Sequence, residues 1–207
     1  MIKVATWNIC LGLKNKKDYV YEKLLQEKID ICALQEVEVD KTCPHSLLTS
    51  KEYTIEIEQT GTKARNAFVI NKRINYTRRF DLEANDSSIV IIDVDMVSKY
   101  RLINIYRSFN PPNGVTQKNA FDGQLSVIKR SLTNCPNRNP IILGDFNLDT
   151  RKKNLNDYSF KNYFESLDSV FEPLNLIQMI NFPTWDRVVN NEIRESTIDH
   201  IYVKKIR

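Results

Sequence analysis

The sequence is short of residues that punctuate loops and of residues that build zinc or disulfide frameworks. Five glycines and seven prolines in 207 residues leave no room for a flexible linker, a collagen-like repeat or a loop-dominated fold. Two histidines and four cysteines, Cys10, Cys32, Cys43 and Cys135, with no C-x-x-C pair, argue against a structural zinc site. The thiols are expected to be reduced, as in an intracellular protein. No run approaches about 18 consecutive apolar residues, so no membrane-spanning helix is expected. The segment Met1 to Asn8 lacks the basic start and long apolar stretch of a signal peptide. G-x-S-x-G, G-x-x-x-x-G-K-[ST] and G-x-G-x-x-G are all missing, which disfavours serine-hydrolase chemistry and the nucleotide folds those motifs announce. Neither sign of charge dominates. Thirty Lys+Arg against 26 Asp+Glu give a net charge of +4, which permits a nucleic-acid partner without demanding one.

What is present is a substantial apolar fraction, 42%, enough for the core of a single domain spanning residues 1–207. Ile2 to Trp7, Ile29 to Gln35, Thr54 to Ile57, Ala67 to Ile70, Ser88 to Val94, Arg101 to Tyr106, Pro140 to Leu143 and Ile198 to Val203 read as strands. Asp18 can cap a helix over residues 19–28 with Val20, Leu24 and Leu25 on one face. Phe121, Leu125, Ile128 and Leu132 mark a second helix, and Phe160, Tyr163, Phe164, Leu167 and Phe171 a third. Asn190-Asn191 can turn a hairpin. Strands occur both in runs and alternating with helices, which predicts sheets covered by helices.

Several buried strands end in polar or acidic groups: Asn8, Glu36, Tyr106, and Asp145 with Asn147. Ligands of open α/β sheets sit at the carboxyl ends of strands. Asn and Asp also form turns, but Glu36 and Tyr106 are not turn residues. Carboxylates and amides without a Cys or His cluster describe a site for a hard cation such as Mg²⁺. Such a site suits phosphate-ester hydrolysis.

The ordered segments Thr6-Trp7-Asn8, Leu34-Gln35-Glu36-Val37, Asn104-Ile105-Tyr106, Gly144-Asp145-Phe146-Asn147 and Ser196-Thr197-Ile198-Asp199-His200 resemble the endonuclease/exonuclease/phosphatase superfamily. NIYRSFNPP from Asn104, ILGDFNLD from Ile142 and Phe182-Pro183-Thr184-Trp185 resemble the apurinic-like endonuclease domain of non-LTR retrotransposons. The resemblance implies an α/β fold, a four-layer α/β sandwich of two packed mixed β-sheets flanked by helices. It implies Mg²⁺-dependent nicking of DNA, with Mn²⁺ as a substitute, in a polyprotein that also carries a reverse transcriptase and acts in the nucleus. It gives Glu36 the metal, with Asn8 beside it supporting metal and phosphate. Asp145 orients or deprotonates the attacking water, or assists the leaving group. Asn147 holds a phosphate oxygen, Tyr106 bonds the scissile phosphate, and Asp199 orients a catalytic histidine. Thr184 is a backbone-phosphate contact. Lys16 and Lys17, after the first strand, and Arg151 and Lys153, after the Asp145 loop, are further candidates for DNA phosphates.

Two departures stand out against the superfamily pattern. Relatives finish with a Ser/Gly-Asp-His motif on a further strand, which is expected to be lacking here, and the chain alone is expected to be weak or inactive. His200 is no substitute, because it follows Asp199 directly in a strand and points to the other face. The segment Gly61 to Ile70 has also lost most glycines that relatives carry there. Two other readings remain open: a cellular phosphodiesterase of the same fold (abasic-site repair, deadenylation or lipid dephosphorylation) and a catalytically dead nucleic-acid-binding fragment. Trp7 and Trp185 are expected to be packed rather than stacked on bases.

Overall fold

β-branched and alternating segments build two large sheets, and the 3.6-residue apolar patterns build the helices that cover them. The computed structural model describes residues 2–40, 42–59, 62–83, 88–111, 114–134, 137–153, 158–189 and 192–205. The first sheet contains β1 (Val4–Asn8), β2 (Ile31–Asp40), β3 (Tyr53–Ile57) and β4 (Lys63–Asn71), in the order β1-β2-β4-β3. The second contains β5 (Tyr76–Arg78), β6 (Ile89–Asp95), β7 (Lys99–Tyr106), β8 (Asn139–Asp145), β9 (Leu176–Gln178) and β12 (Asp199–Lys204), in the order β5-β6-β7-β8-β12-β9. Between β9 and β12 a separate hairpin forms from β10 (Trp185–Val189) and β11 (Glu192–Ser196). Its turn at 190–191 lies outside the described residues.

Side-chain alternation divides each sheet into two faces. On β2, Ile31 and Ala33 join Phe68, Val90, Leu102 and Leu143 between the sheets. The intervening Cys32 and Leu34 pack outward with Val20 and Leu24 of α1 (Leu13–Gln26). On the far side, Ile103 and Ile142 pack against Phe121 and Ile128 of α3 (Gln117–Thr133) and Leu167 of α4 (Tyr158–Phe171). The result is the four-layer sandwich, helix, sheet, sheet, helix. Each fully buried aliphatic or aromatic side chain contributes about 1.5–3 kcal/mol. A short helix α2 (His45–Leu48) completes the first half.

Three local expectations are corrected. Asp18 is not a cap but lies inside α1, which starts at Leu13 with Gly12 at its N-cap and no capping side chain. Three consecutive left-handed residues, Cys10, Leu11 and Gly12, turn the chain there, and Lys16 Nζ binds the carbonyls of Ile9 (2.7 Å) and Cys10 (2.8 Å). Leu25 is 45% exposed, and Tyr21 takes its place on the buried face of α1. The strand expected to stop at Gln35 runs on to Asp40 through an irregular stretch between Gln35 and Val39.

One polar bridge crosses the core between the sheets. Gln35 Nε2 donates to Asn104 Oδ1 (2.8 Å), and Asn104 Nδ2 donates to the carbonyls of Leu34 (3.0 Å) and Ala67 (2.8 Å). Both side chains are fully buried. Each is a costly group to bury unless bonded, so the pair holds the two sheets at one offset.

Candidate active site

Strand register assembles the site. Tyr106 of β7 pairs with Asp145 of β8, and Asp145 pairs with Asp199 of β12. Three candidate side chains therefore stand side by side on one rung of the second sheet. Gly144 is required beside them, since a Cβ there would lie 2.0 Å from the Ile105 carbonyl oxygen. After Asp145 the chain turns sharply. Phe146 buries its ring against His200 at 4.6 Å, its N–H bonds the Ile198 carbonyl at 2.9 Å, and Asn147 is left-handed at φ 49°. From the first sheet come Asn8, the last residue of β1, and Glu36. Glu36 and Glu38 both have left-handed backbones, φ 55° and 47°. This bulge swings Glu36 out of the regular alternation.

Hydrogen bonds join these groups into one net. Asn8 Nδ2 donates to Glu36 Oε1 (3.0 Å) and Asp145 Oδ2 (2.9 Å). The Asn8 Oδ1 accepts from the Cys10 N–H (2.8 Å), which fixes the amide's orientation. Asn8 thus grips Glu36 through nitrogen, while its oxygen is committed to the backbone. The Tyr106 hydroxyl donates to Glu36 Oε1 (3.2 Å), and Asn147 N–H donates to Asp145 Oδ1 (2.8 Å).

Burial and like charge set the protonation of the carboxylates. Burial pushes Asp145 up to about 7, helped by Asp199 and Glu36 and opposed by the Asn147 N–H and the Asn8 amide. Burial also raises Asp199, against a hydrogen bond from Thr184. Asp199 Oδ1 is buried without a hydrogen-bond partner among the described residues. Tyr106 is raised by burial, partly offset by Arg65.

The net opens on a cleft of about 1430 Å³ lined by Asn8, Glu36, Asp145, Asn147, Thr184 and Asp199, among others. The sequence-derived candidates divide around it. Arg151 lines the cleft and pairs with Glu195 at 3.0 Å. Thr184 lines it too, but its Oγ1 accepts from the N–H groups of Ile198 (3.2 Å) and Asp199 (3.1 Å), so it buttresses Asp199. Lys16 is occupied in closing the turn before α1. Lys17 reaches the Leu47 carbonyl (3.0 Å), and Lys153 pairs with Asp168 (2.7 Å); neither lines the cleft. His200 points away from the cleft, as strand alternation requires. It is fully buried, bonds the Leu148 carbonyl at 2.9 Å, and is pushed down to about 4 by burial.

Other functional candidates escape sequence reasoning. Lys152 and Arg194 also line the cleft. Trp185, expected to be packed, is 41% exposed and lines the cleft with the exposed Phe109 and Phe182. The aromatic run around Pro183 was the available signal. Trp7 does pack, edge-on against Tyr19 at 6.1 Å. Arg107 gave no signal at all. It is 3% exposed, its guanidinium lies 4.3 Å from the Tyr163 ring, and it exchanges hydrogen bonds with Asn147 through Nη1 (3.0 Å) and its carbonyl (2.8 Å).

The family model described as "Endonuclease/Exonuclease/phosphatase family" matches residues 5–207. Among solved structures, the fold is similar to the endonuclease domain of TRAS1, a telomere-specific non-LTR retrotransposon, at TM-score 0.72 and 16% identity, covering 99% of this chain and 86% of that one. It is similar to an AP endonuclease from Archaeoglobus fulgidus at TM-score 0.67 and 17% identity, covering 99% and 87%. It is also similar to the AP endonuclease LMAP from Leishmania major at TM-score 0.73 and 16% identity, covering 98% and 79%. No curated protein matches the chain significantly.

Proposed function

Because the chain belongs to the endonuclease/exonuclease/phosphatase family, a family of hydrolytic nucleases and phosphoesterases, we propose that its cleft nicks DNA by metal-dependent phosphodiester hydrolysis, as the endonuclease domain of a non-LTR retrotransposon. One observation carries the reading. Asn8, Glu36, Tyr106 and Asp145, from four strands, are bonded into a single net at the cleft. The donors offered are oxygens, which suits Mg²⁺, with Mn²⁺ as a substitute. No group of three His, Cys, Asp or Glu forms a ready cage among the described residues. Mg²⁺ needs no such cage, since it keeps several waters and takes one or two protein carboxylates. Glu36 would hold the ion, with Asn8 fixing the Glu36 carboxylate. A bound cation supplies charge neutralisation at the phosphate.

The remaining chemistry falls to the side chains. Asp145, titrating near neutral pH, is suited to take a proton from the attacking water. The Asn147 amide would donate to a phosphate oxygen. The Tyr106 hydroxyl keeps its one proton on Glu36 Oε1 (3.2 Å) and so holds that carboxylate rather than the scissile phosphate. Asp199, buttressed by Thr184, lies beside Asp145. Neither His45 nor His200 lines the cleft, so no histidine of the described residues takes part in this proposal. Arg151, Lys152 and Arg194 would meet the DNA backbone. The retrotransposon assignment is supported by NIYRSFNPP, ILGDFNLD and FPTW and by the fold likeness to the TRAS1 domain. A reverse transcriptase in the same polyprotein and action in the nucleus belong to this proposal.

The test is nicking of supercoiled plasmid with Mg²⁺ or Mn²⁺ by wild type, Glu36→Ala and Asp145→Ala. Loss in both variants supports the site, and equal activity in all three overturns it. The likeness to AP endonucleases favours a second reading, abasic-site cleavage. A duplex with one abasic site, cut much faster than intact plasmid, would decide for it.

A further inference from the structure

Arg65 lies on β4 and stands opposite the bulge of β2. Gln35 pairs with Asn66 and Val39 with Ala64, so residues 36–38 face Arg65 alone. Its guanidinium meets two elements at once. Nε lies 2.5 Å from Glu38 Oε1, an ion pair without hydrogen-bond geometry, and Nη2 donates to the Tyr106 hydroxyl at 3.1 Å. The guanidinium carbon stands 4.9 Å from the Tyr106 ring centroid. The Arg65 backbone N–H is itself held by Glu58 Oε1 at 2.7 Å.

Two consequences follow from donor and acceptor chemistry. A guanidinium carries donors and no acceptor, so the Tyr106 oxygen must accept from it. The single hydroxyl proton is then left to point at Glu36, 3.2 Å away. Left-handed non-glycine residues are strained and persist where their surroundings over-determine them. Glu38 is one of the two such residues in the bulge, and its carboxylate is tied to Arg65.

We propose that Arg65, paired with Glu38, is a positioning residue for the active site: it holds the bulge that presents Glu36 and orients the Tyr106 hydroxyl toward it. This rests on the reading of the cleft as a phosphodiesterase site. Arg65 does not line the cleft. It acts through Tyr106 and Glu36, with Nη2 donating to the Tyr106 hydroxyl while its charge holds Glu38, a combination that a lysine ammonium does not reproduce.

The experiment compares wild type with Arg65→Met, Arg65→Lys and Glu38→Gln, with Glu36→Ala as control, in two readouts. Single-turnover plasmid nicking gives rate and DNA affinity separately. A carbon–proton spectrum of ring-labelled tyrosine, with the Tyr106 signal assigned by its loss in Tyr106→Phe, reports orientation without needing activity. Arg65→Met should cut the rate by about 10–100-fold, the value of a hydrogen bond from a charged donor, with the DNA half-saturation point within about threefold. Arg65→Lys and Glu38→Gln should fall in between, and the Tyr106 signal should move in Arg65→Met. Thermal melts identify any variant that fails to fold, in which case Arg65→Lys and Glu38→Gln carry the comparison. An unmoved Tyr106 signal, an unchanged rate, or a loss confined to DNA affinity overturns the inference. If wild type and Glu36→Ala are equally inactive on plasmid, the functional reading has failed, and the tyrosine spectra alone decide the role of Arg65.

Discussion

Replacing Asp145 by asparagine should make the metal-free protein more stable, and increasingly so as pH rises. The carboxyl is 1% exposed and is pushed up to about 7, chiefly by burial and then by Asp199 and Glu36. In the unfolded chain it titrates at its ordinary 3.8. Below that value both states are protonated and nothing is lost. As pH rises to about 7, the unfolded chain releases a proton that the folded protein keeps, and stability falls by about 1.4 kcal/mol per pH unit. Above 7 both states are ionised, and the full cost, on the order of 4 kcal/mol, remains. An amide escapes that cost. It retains one oxygen where the carboxylate accepts from Asn147 N–H and from Asn8, and losing one of those bonds costs about 1–2 kcal/mol. The expected net gain is about 2 kcal/mol at pH 8 and close to nothing at pH 4.5. Urea unfolding in EDTA, followed by tryptophan fluorescence at both pH values, measures it. A gain equal at the two pH values, or a loss at pH 8, refutes the assignment of Asp145 as a buried, charge-crowded carboxyl. The same variant should lose plasmid nicking by at least about 100-fold, the range of a positioned acid–base group.

His200 should titrate in the opposite sense. The folded protein holds it neutral with its pKa lowered to about 4, so its contribution is complete above about 6.5 and is lost at about 1.4 kcal/mol per unit as pH falls toward 4. Urea midpoints at pH 7 and 5 should therefore converge in His200→Gln relative to wild type. Asn104→Leu should lower stability by about 2–4 kcal/mol, because Gln35 and the Leu34 and Ala67 carbonyls lose their partners; an unchanged urea midpoint would show the bridge to be dispensable. Gly144→Ala should abolish cooperative melting, since its Cβ would meet the Ile105 carbonyl oxygen at 2.0 Å and the backbone cannot yield that far at low cost.

How much the sequence disclosed depended on the range of the interaction. Asn8, Tyr106 and Asp145 end strands whose apolar runs are plain, so their positions follow from periodicity. Their meeting follows from the register that pairs Tyr106 with Asp145 and Asp145 with Asp199. Glu36 was found, but not the reason it faces the cleft, because a bulge is a property of two strands and leaves no local pattern. The start of α1 was misplaced for a similar reason. A helix begun by left-handed residues and a lysine at its fourth position shows no capping signature. Lysines near the site in sequence were poor guides to the cleft, since Lys17 and Lys153 have closer partners elsewhere. Arg65 and Arg107 stand in no motif of the sequence, and only tertiary packing sets them against Tyr106 and Tyr163.

The buried Gln35–Asn104 bridge bears on how chimeras of this fold could be built. Two apolar sheet faces can slide over one another at little cost, as greased plates do, whereas a hydrogen-bonded pair locates them like a dowel. The dowel sits one residue before Glu36 and two before Tyr106. A cleft loop, or the β10–β11 hairpin, could be exchanged with that of a relative sharing only 16% of its sequence without disturbing the spacing of those two groups, provided both halves of the dowel come from the same parent. A chimera joined between β2 and β7 that mixed them would fold around the right core with the reacting groups out of alignment.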